Sequence, residues 1–216
     1  MNPLLQFIEA QKMDTDVFCF QEAGGNVQTA LETILGSYTK LSAEKNILDS
    51  SFTPTQVTYV RAGIEVVREC TILSDNPHAG LGIYTELAVG TKPLHLINLH
   101  GYPHPGKLDT PGRLEQSKVC IDFLKNLPGV RIIGGDINVL PETQSIQMFG
   151  NAGYQDLIQT FSIPTTRNRL VWERFPDNPL YYSDYVFVDH NTTVKSFTAP
   201  TMEISDHLPM ILEIQL

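Results

Sequence analysis

Five short polar groups interrupt this sequence, each closing an apolar run. They are Phe20-Gln21-Glu22, Asn98-Leu99-His100, Gly134-Gly135-Asp136-Ile137-Asn138, Ser183-Asp184-Tyr185 and Ser205-Asp206-His207. An apolar run that stops on Glu, Asp, Asn or His reads as a buried strand delivering a polar side chain to the rim of a sheet. Delivered to one rim, these groups would collect carboxylate and amide oxygens with the imidazoles of His100 and His207. Hard oxygen ligands beside imidazoles are the equipment for hydrolysing a phosphate ester with a Mg²⁺-type cation.

Each group also has an ordinary reading. In Gly134-Gly135-Asp136-Ile137-Asn138 the glycines permit a sharp turn and a close approach. Asp136 and Asn138, two apart, would face the same side of an extended chain and address a metal and a phosphate together. A strand-end turn uses the same residue types. Asp206 could bind a metal or hold a ring, and His207 could hydrogen-bond a phosphoryl oxygen or activate water. Asp184 could orient a histidine from a neighbouring strand, or serve a turn. Glu22 follows Val17, Phe18, Cys19 and Phe20, where a carboxylate is costly unless paired or metal-bound, which favours a ligand role. His100 could donate a proton to a leaving oxygen, or be a satisfied structural residue; Asn98 needs no role beyond its strand. Lys107, Arg113 and Arg167 could meet substrate phosphates, although solvated charge is the commoner use of such loop cations.

Positioning these residues requires a set of strands and a few helices. Asn2 and Pro3 suit a helix start, with Leu4, Leu5, Phe7 and Ile8 on one face as far as Gln11. Short apolar runs predict buried strands over Asp16 to Phe20, Leu94 to Leu99 and Val130 to Ile133. Helices are expected over Asn26 to Leu35, Gly112 to Leu127 and Thr143 to Phe149. The alternating runs Gln56 to Val60, Ile64 to Leu73 and Gly82 to Val89 suggest antiparallel strands, and Asp184 to Val188, Thr193 to Phe197 and Met210 to Gln215 close the chain. The stretches Gly101 to Pro111 and Leu157 to Asn178 read as irregular loops, and Gly101 to Pro111 and Thr160 to Asn178 are the places to look for specificity. Two stacked sheets with helices outside would satisfy this order.

The bulk properties narrow the function. At 216 residues the chain fits one domain with a sizeable core, 1–216. No apolar stretch approaches the ~18 residues of a membrane span, and the first residues lack the pattern of a signal peptide. Cys19, Cys70 and Cys120 are widely spaced within apolar or periodic segments, which reads as reduced thiols and a cytoplasmic setting. With 24 acidic against 15 basic residues the formal charge is −9, so strong non-specific binding to a nucleic-acid duplex is not expected. Zinc is disfavoured, since the histidines lack helix-type spacing and the cysteines do not cluster.

The order of the groups carries more than any one of them. Gln-Glu, Asn-x-His, Gly-Asp-x-Asn, Asp-Tyr and Ser-Asp-His, from about Asp16 to the C-terminus, resemble the DNase-I-like endonuclease/exonuclease/phosphatase superfamily. The resemblance implies a four-layer α/β sandwich of two packed, mostly antiparallel sheets flanked by helices. It implies a phosphodiesterase or phosphomonoesterase dependent on Mg²⁺ or Mn²⁺, with Glu22, Asp136 and Asp206 in the metal environment. Asp136 and Asn138 would position water and the scissile phosphate, with Asp136 as base. His207, oriented by Asp184, would stabilise phosphoryl charge, and His100 would protonate the leaving group. The implied partner is a phosphorylated substrate, nucleic acid among the candidates, bound by a monomer. One departure is visible: the family opens with a strand ending in a metal-contacting Asn, whereas this sequence begins at the following helix. The first strand is therefore expected to be missing, exposing a sheet edge and lowering stability and metal affinity relative to a longer form. A non-catalytic binding module that keeps the fold is the reading from a different class.

Overall fold

The computed structural model describes residues 2–45, 55–177 and 180–216. The first helix, α1 (Pro3–Gln11), starts as its sequence dictates. The Asn2 side chain accepts the Leu4 N–H at 2.9 Å and proline fills the first turn. It is followed by β1 (Val17–Gln21), α2 (Gly25–Ile34), β2 (Thr39–Glu44), β3 (Thr55–Val60), β4 (Glu65–Ile72), β5 (Leu81–Val89) and β6 (Lys92–His100). After a 3₁₀ turn at Pro105–Lys107 come α3 (Pro111–Leu124), β7 (Val130–Asp136), α4 (Gln144–Asn151) and β8 (Tyr154–Asp156). The chain ends with α5 (Leu157–Thr160), α6 (Arg169–Arg174), β9 (Asp184–Asp189), β10 (Thr193–Thr198) and β11 (Ile211–Gln215).

Among the described residues the strands form a six-stranded sheet in the order β4-β5-β6-β7-β9-β8, a three-stranded sheet β1-β3-β2 and a β10-β11 ribbon. The two larger sheets face each other, with β1 against β6 and β7, and β2 and β3 against β5. Helices α1 and α2 bury Ile8, Leu31 and Leu35 against Val57 and Tyr59 on the outer face of the smaller sheet. On the far side, α3 buries Cys120 and Leu124 and stacks Phe123 edge-on against Tyr84, while Phe149 of α4 stacks on Phe187 at 4.2 Å. The result is the expected helix–sheet–sheet–helix layering, because each sheet has one apolar face for its partner and one for helices.

Pairing is antiparallel except between β6 and β7, where α3 makes the crossover that a parallel pair requires. Strand β1 pairs with β3 along one edge and, among the described residues, with no strand along the other. Val17, Phe18, Cys19 and Phe20 are accordingly half-buried. The region from Leu157 onward holds more structure than expected, with α5 and α6 formed there. Asp156 caps α5 by accepting the Ile158 and Gln159 N–H groups, and Asn168 caps α6 through Leu170. Asn178, at the end of that stretch, lies outside the described residues. The helices are four and six residues long, too short to show a periodicity.

Gly135 is required by a close approach. Its φ is +134°, and a Cβ there would lie 2.1 Å from the Leu99 carbonyl oxygen. Gly134, by contrast, has room for a side chain, with nothing nearer than 3.5 Å. Gly135→Ala is therefore expected to destabilise the fold by roughly 3 kcal/mol or more, since backbone strain and a backbone clash add. Urea unfolding of both proteins measures this, and an unchanged midpoint would refute it.

Candidate active site

Strand register assembles the centre. His100 pairs with Asp136 across β6 and β7, and Asp136 pairs with Asp184 across β7 and β9. The last residues of two strands and the first of a third therefore stand in one row. His207 comes from the turn before β11 and forms an isolated bridge with Arg167. Ligand atoms of Asp136, Asp184 and His207 lie within 4.8 Å of one another.

Within this group the roles are asymmetric. His207 Nδ1 sits 2.9 Å from both carboxylate oxygens of Asp184, and its Nε2 lies 3.9 Å from Asp136 Oδ2. Burial works against a charge on the imidazole. The flanking Asp184 and Asp136 carboxylates outweigh that burial and lift His207 to about 9. The ring is then an imidazolium at neutral pH, with Nδ1–H fixed on Asp184 and Nε2–H directed to the Asp136 side. Burial likewise disfavours the Asp136 anion, but His207, Lys107, His100 and the Ser183 hydroxyl hold its carboxyl below the usual range. Burial pulls His100 below the ordinary histidine range, opposed in part by Asp136 and Glu22.

Asp136 and Asn138 do meet, but not as alternate residues of a strand. The strand ends at Asp136, and Asn138 takes a left-handed φ of 63°. Its N–H donates to Asp136 Oδ1 at 2.9 Å, and the Ser183 carbonyl accepts the same N–H. This Asx turn is the local chemistry of a Gly-Asp-x-Asn sequence, and asparagine tolerates that φ better than most residues. Asn138 Nδ2 donates to the Gly101 carbonyl at 3.0 Å, while its Oδ1 accepts from Lys107 Nζ at 2.6 Å.

The cations expected to be solvated are all buried. Lys107 reaches under the loop to Asn138 Oδ1 and Ser183 Oγ, and burial lowers its pKa, with Asp136 opposing. Arg113 is fully buried, and Tyr102, His104 and Leu108 carbonyls accept its N–H groups. It shapes the loop over the centre, a different use from the substrate contact expected of it. Arg167 donates to Asp206 Oδ2 at 3.0 Å. Asp206 thus faces arginines, with Arg174 at 3.8 Å, and lies outside the Asp136–Asp184–His207 group.

Glu22 departs from the reasoning that singled it out. A φ of 55° turns it off the end of β1, and its side chain is 74 % exposed, so no core burial forces a ligand on it. It stands over the centre all the same, with Oε1 3.8 Å from His100 Nε2. Asn98 is structural: its side chain ties β6 to β1 and β3 through Gln21, the Phe20 and Val57 carbonyls and Thr58.

Two further residues complete the centre. Ser183, fully buried, donates a very short hydrogen bond to Asp136 Oδ1. Thr166 Oγ1 accepts the N–H groups of Ser183 and Asp184 and fixes the start of β9. Ser183 adjoins Asp184 in a motif that could have drawn attention, whereas nothing in Pro164-Thr165-Thr166 signals its position.

No family model matches this sequence, and no curated protein does. Solved structures do. An endonuclease/exonuclease/phosphatase from Bacteroides vulgatus superposes with a TM-score of 0.79 at 19% identity, over 100% of this chain and 89% of that one. A mannosyl-6-phosphatase from Bacteroides thetaiotaomicron gives 0.74 at 20% identity, over 99% and 89%. The human Nocturnin catalytic domain, with a bound sulfate, gives 0.72 at 16% identity, over 98% and 85%. With its layers, its strand order and the length of these superpositions, the chain has the fold of the DNase-I-like endonuclease/exonuclease/phosphatase superfamily.

Proposed function

We propose that this protein hydrolyses a phosphate ester by attack of water, assisted by Mg²⁺ or Mn²⁺. The observation that carries the reading is the position of the His207 ring, held on Asp184 through Nδ1 and facing the Asp136 carboxylate through Nε2 beside a buried lysine. An acceptor for a water proton next to fixed cationic donors is what an in-line displacement at phosphorus requires.

In this reading Asp136 Oδ2 orients and deprotonates the water, since Oδ1 is held by Ser183 and the Asn138 N–H. His207 Nε2–H donates to a phosphoryl oxygen as charge grows there. Lys107 supplies a second cationic donor, and Asn138 positions it. His100, beneath Glu22, is placed to donate a hydrogen bond to the leaving oxygen. Arg167 acts through Asp206, whose carboxyl is lowered by His207 and Arg167 against the upward push of burial. Oxygen donors at the centre suit a hard divalent cation: Asp136 lies with Asp184 and His207, their ligand atoms within 4.8 Å of one another, and Glu22 and Asp206 would complete its environment. Such a cation, when bound, would polarise the phosphoryl group.

The substrate we favour is a small phosphorylated molecule rather than a duplex, because a chain of charge −9 repels a polyphosphate backbone at long range. Similarity of fold to a protein named as a mannosyl-6-phosphatase supports phosphate esters in general. Among the described residues no helix is long and apolar enough to cross a membrane.

The test is hydrolysis of 4-nitrophenyl phosphate and bis(4-nitrophenyl) phosphate with Mg²⁺, Mn²⁺ or EDTA. Turnover that EDTA abolishes and Mn²⁺ restores is expected, and the preferred ester separates monoesterase from diesterase. Turnover indifferent to EDTA would refute the metal requirement; none under any condition would refute the reading.

A further inference from the structure

A buried lysine and a buried aspartate share this centre without forming an ion pair. Among the described residues no Lys107–Asp136 contact falls within 4.0 Å, although both side chains touch the same hydroxyl. That hydroxyl belongs to Ser183. An ammonium only donates and a carboxylate only accepts, so the direction of the chain is forced: Lys107 donates to Ser183, and Ser183 donates to Asp136. The Lys107 Nζ–Ser183 Oγ distance is 2.7 Å, and Asn138 Oδ1 takes a second ammonium proton at 2.6 Å. Among the described residues no acceptor takes the third. The lysine is also held from behind: its φ is 51°, and its carbonyl accepts the Leu140 N–H.

We propose that Ser183 is a positioning residue that acts as a spacer. It keeps Lys107 from closing directly onto Asp136, so that the carboxylate stays available to water and a cation and the ammonium stays available to a phosphoryl oxygen. The inference rests on the phosphoesterase reading for its purpose, but its geometry can be judged separately. In a buried site an unscreened lysine and aspartate attract strongly, and a direct pair would neutralise both groups.

Ser183→Ala removes one oxygen and leaves Asp136, Lys107 and Asn138 in place. Its crystal structure is expected to show Lys107 Nζ within about 3 Å of the Asp136 carboxylate, the length of a charge-assisted hydrogen bond. Its Mn²⁺ affinity by titration calorimetry should fall by roughly 10-fold, as for other residues that orient a ligand. Ser183→Thr, which keeps the hydroxyl, should restore it. The decisive variant adds Lys107→Met to Ser183→Ala. A spacer predicts recovery of Mn²⁺ affinity once the competing cation is gone, whereas a merely structural serine predicts none. Nζ remaining more than about 4 Å from Asp136 in Ser183→Ala, or an unchanged affinity, overturns the proposal. A wild type that neither binds Mn²⁺ nor hydrolyses any ester would sink the phosphoesterase reading, while the Ser183→Ala structure still decides the spacer.

Discussion

Replacing His207 with alanine is expected to reduce kcat/KM for an aryl phosphate by about 1,000-fold, the range seen when one fixed donor to a developing oxyanion is removed. The loss should fall mainly on kcat, because the hydrogen bond strengthens as phosphoryl charge builds. Stability should drop as well, by roughly 2 kcal/mol, since Asp184 is buried and would lose its partner. His207→Gln, which can still donate to Asp184, should recover much of that stability and little of the activity. Stability also carries a pH signature. The imidazole is raised from 6.5 to about 9 in the folded protein, so the native state holds a proton that the unfolded state releases between these values. The stabilisation is complete below about 6.5 and disappears as pH rises through about 9. In metal-free buffer the wild-type melting temperature should therefore fall over that window relative to His207→Gln. Parallel curves would show that the folded protein does not hold this proton.

Asp136→Asn should separate catalysis from folding. The amide oxygen can still accept from the Asn138 N–H and the Ser183 hydroxyl, so the turn survives. Removing the negative charge, however, removes the proton acceptor for water. Loss of a general base costs typically 100- to 10,000-fold, and a ligand position is lost with it. We expect turnover at the lower end of detection with a melting temperature within a few degrees of wild type in metal-free buffer. The same substitution should abolish the Mn²⁺-dependent rise in melting temperature expected of the wild type, because a ligand stabilises only the state it binds. Near-normal turnover in Asp136→Asn would move the base elsewhere in the centre.

The fold was legible because burial leaves marks along a chain. Runs such as Leu94-His95-Leu96-Ile97-Asn98-Leu99 and Val130-Arg131-Ile132-Ile133 announced the central strands. Asn2-Pro3 announced the first helix, and the caps agree. What escaped lacks a local pattern: β2 and β8 have no distinct apolar run, and α5 and α6 are short capped turns whose stability comes from neighbours. The site divides in the same way. Asp136, Asp184, His100 and His207 could be named because each sits where an apolar run meets a polar end. For Lys107, Arg113 and Arg167 the sequence favoured solvent. Only the folded chain supplies the carbonyls, amide and carboxylate that make burying them tolerable.

The sequence by itself determined which side chains reach a strand end and which faces must be buried, because alternation and apolar length are local properties. It could not determine the pairing His100–Asp136–Asp184, which depends on register between strands distant along the chain. Nor could it determine the direction of charge within the centre. Whether Glu22 is buried or exposed, and that Asp206 meets Arg167, follows from distances of a few ångströms set by packing. So does the serine between Lys107 and Asp136. Electrostatic roles in a low-dielectric interior depend on those distances, and only the tertiary structure fixes them.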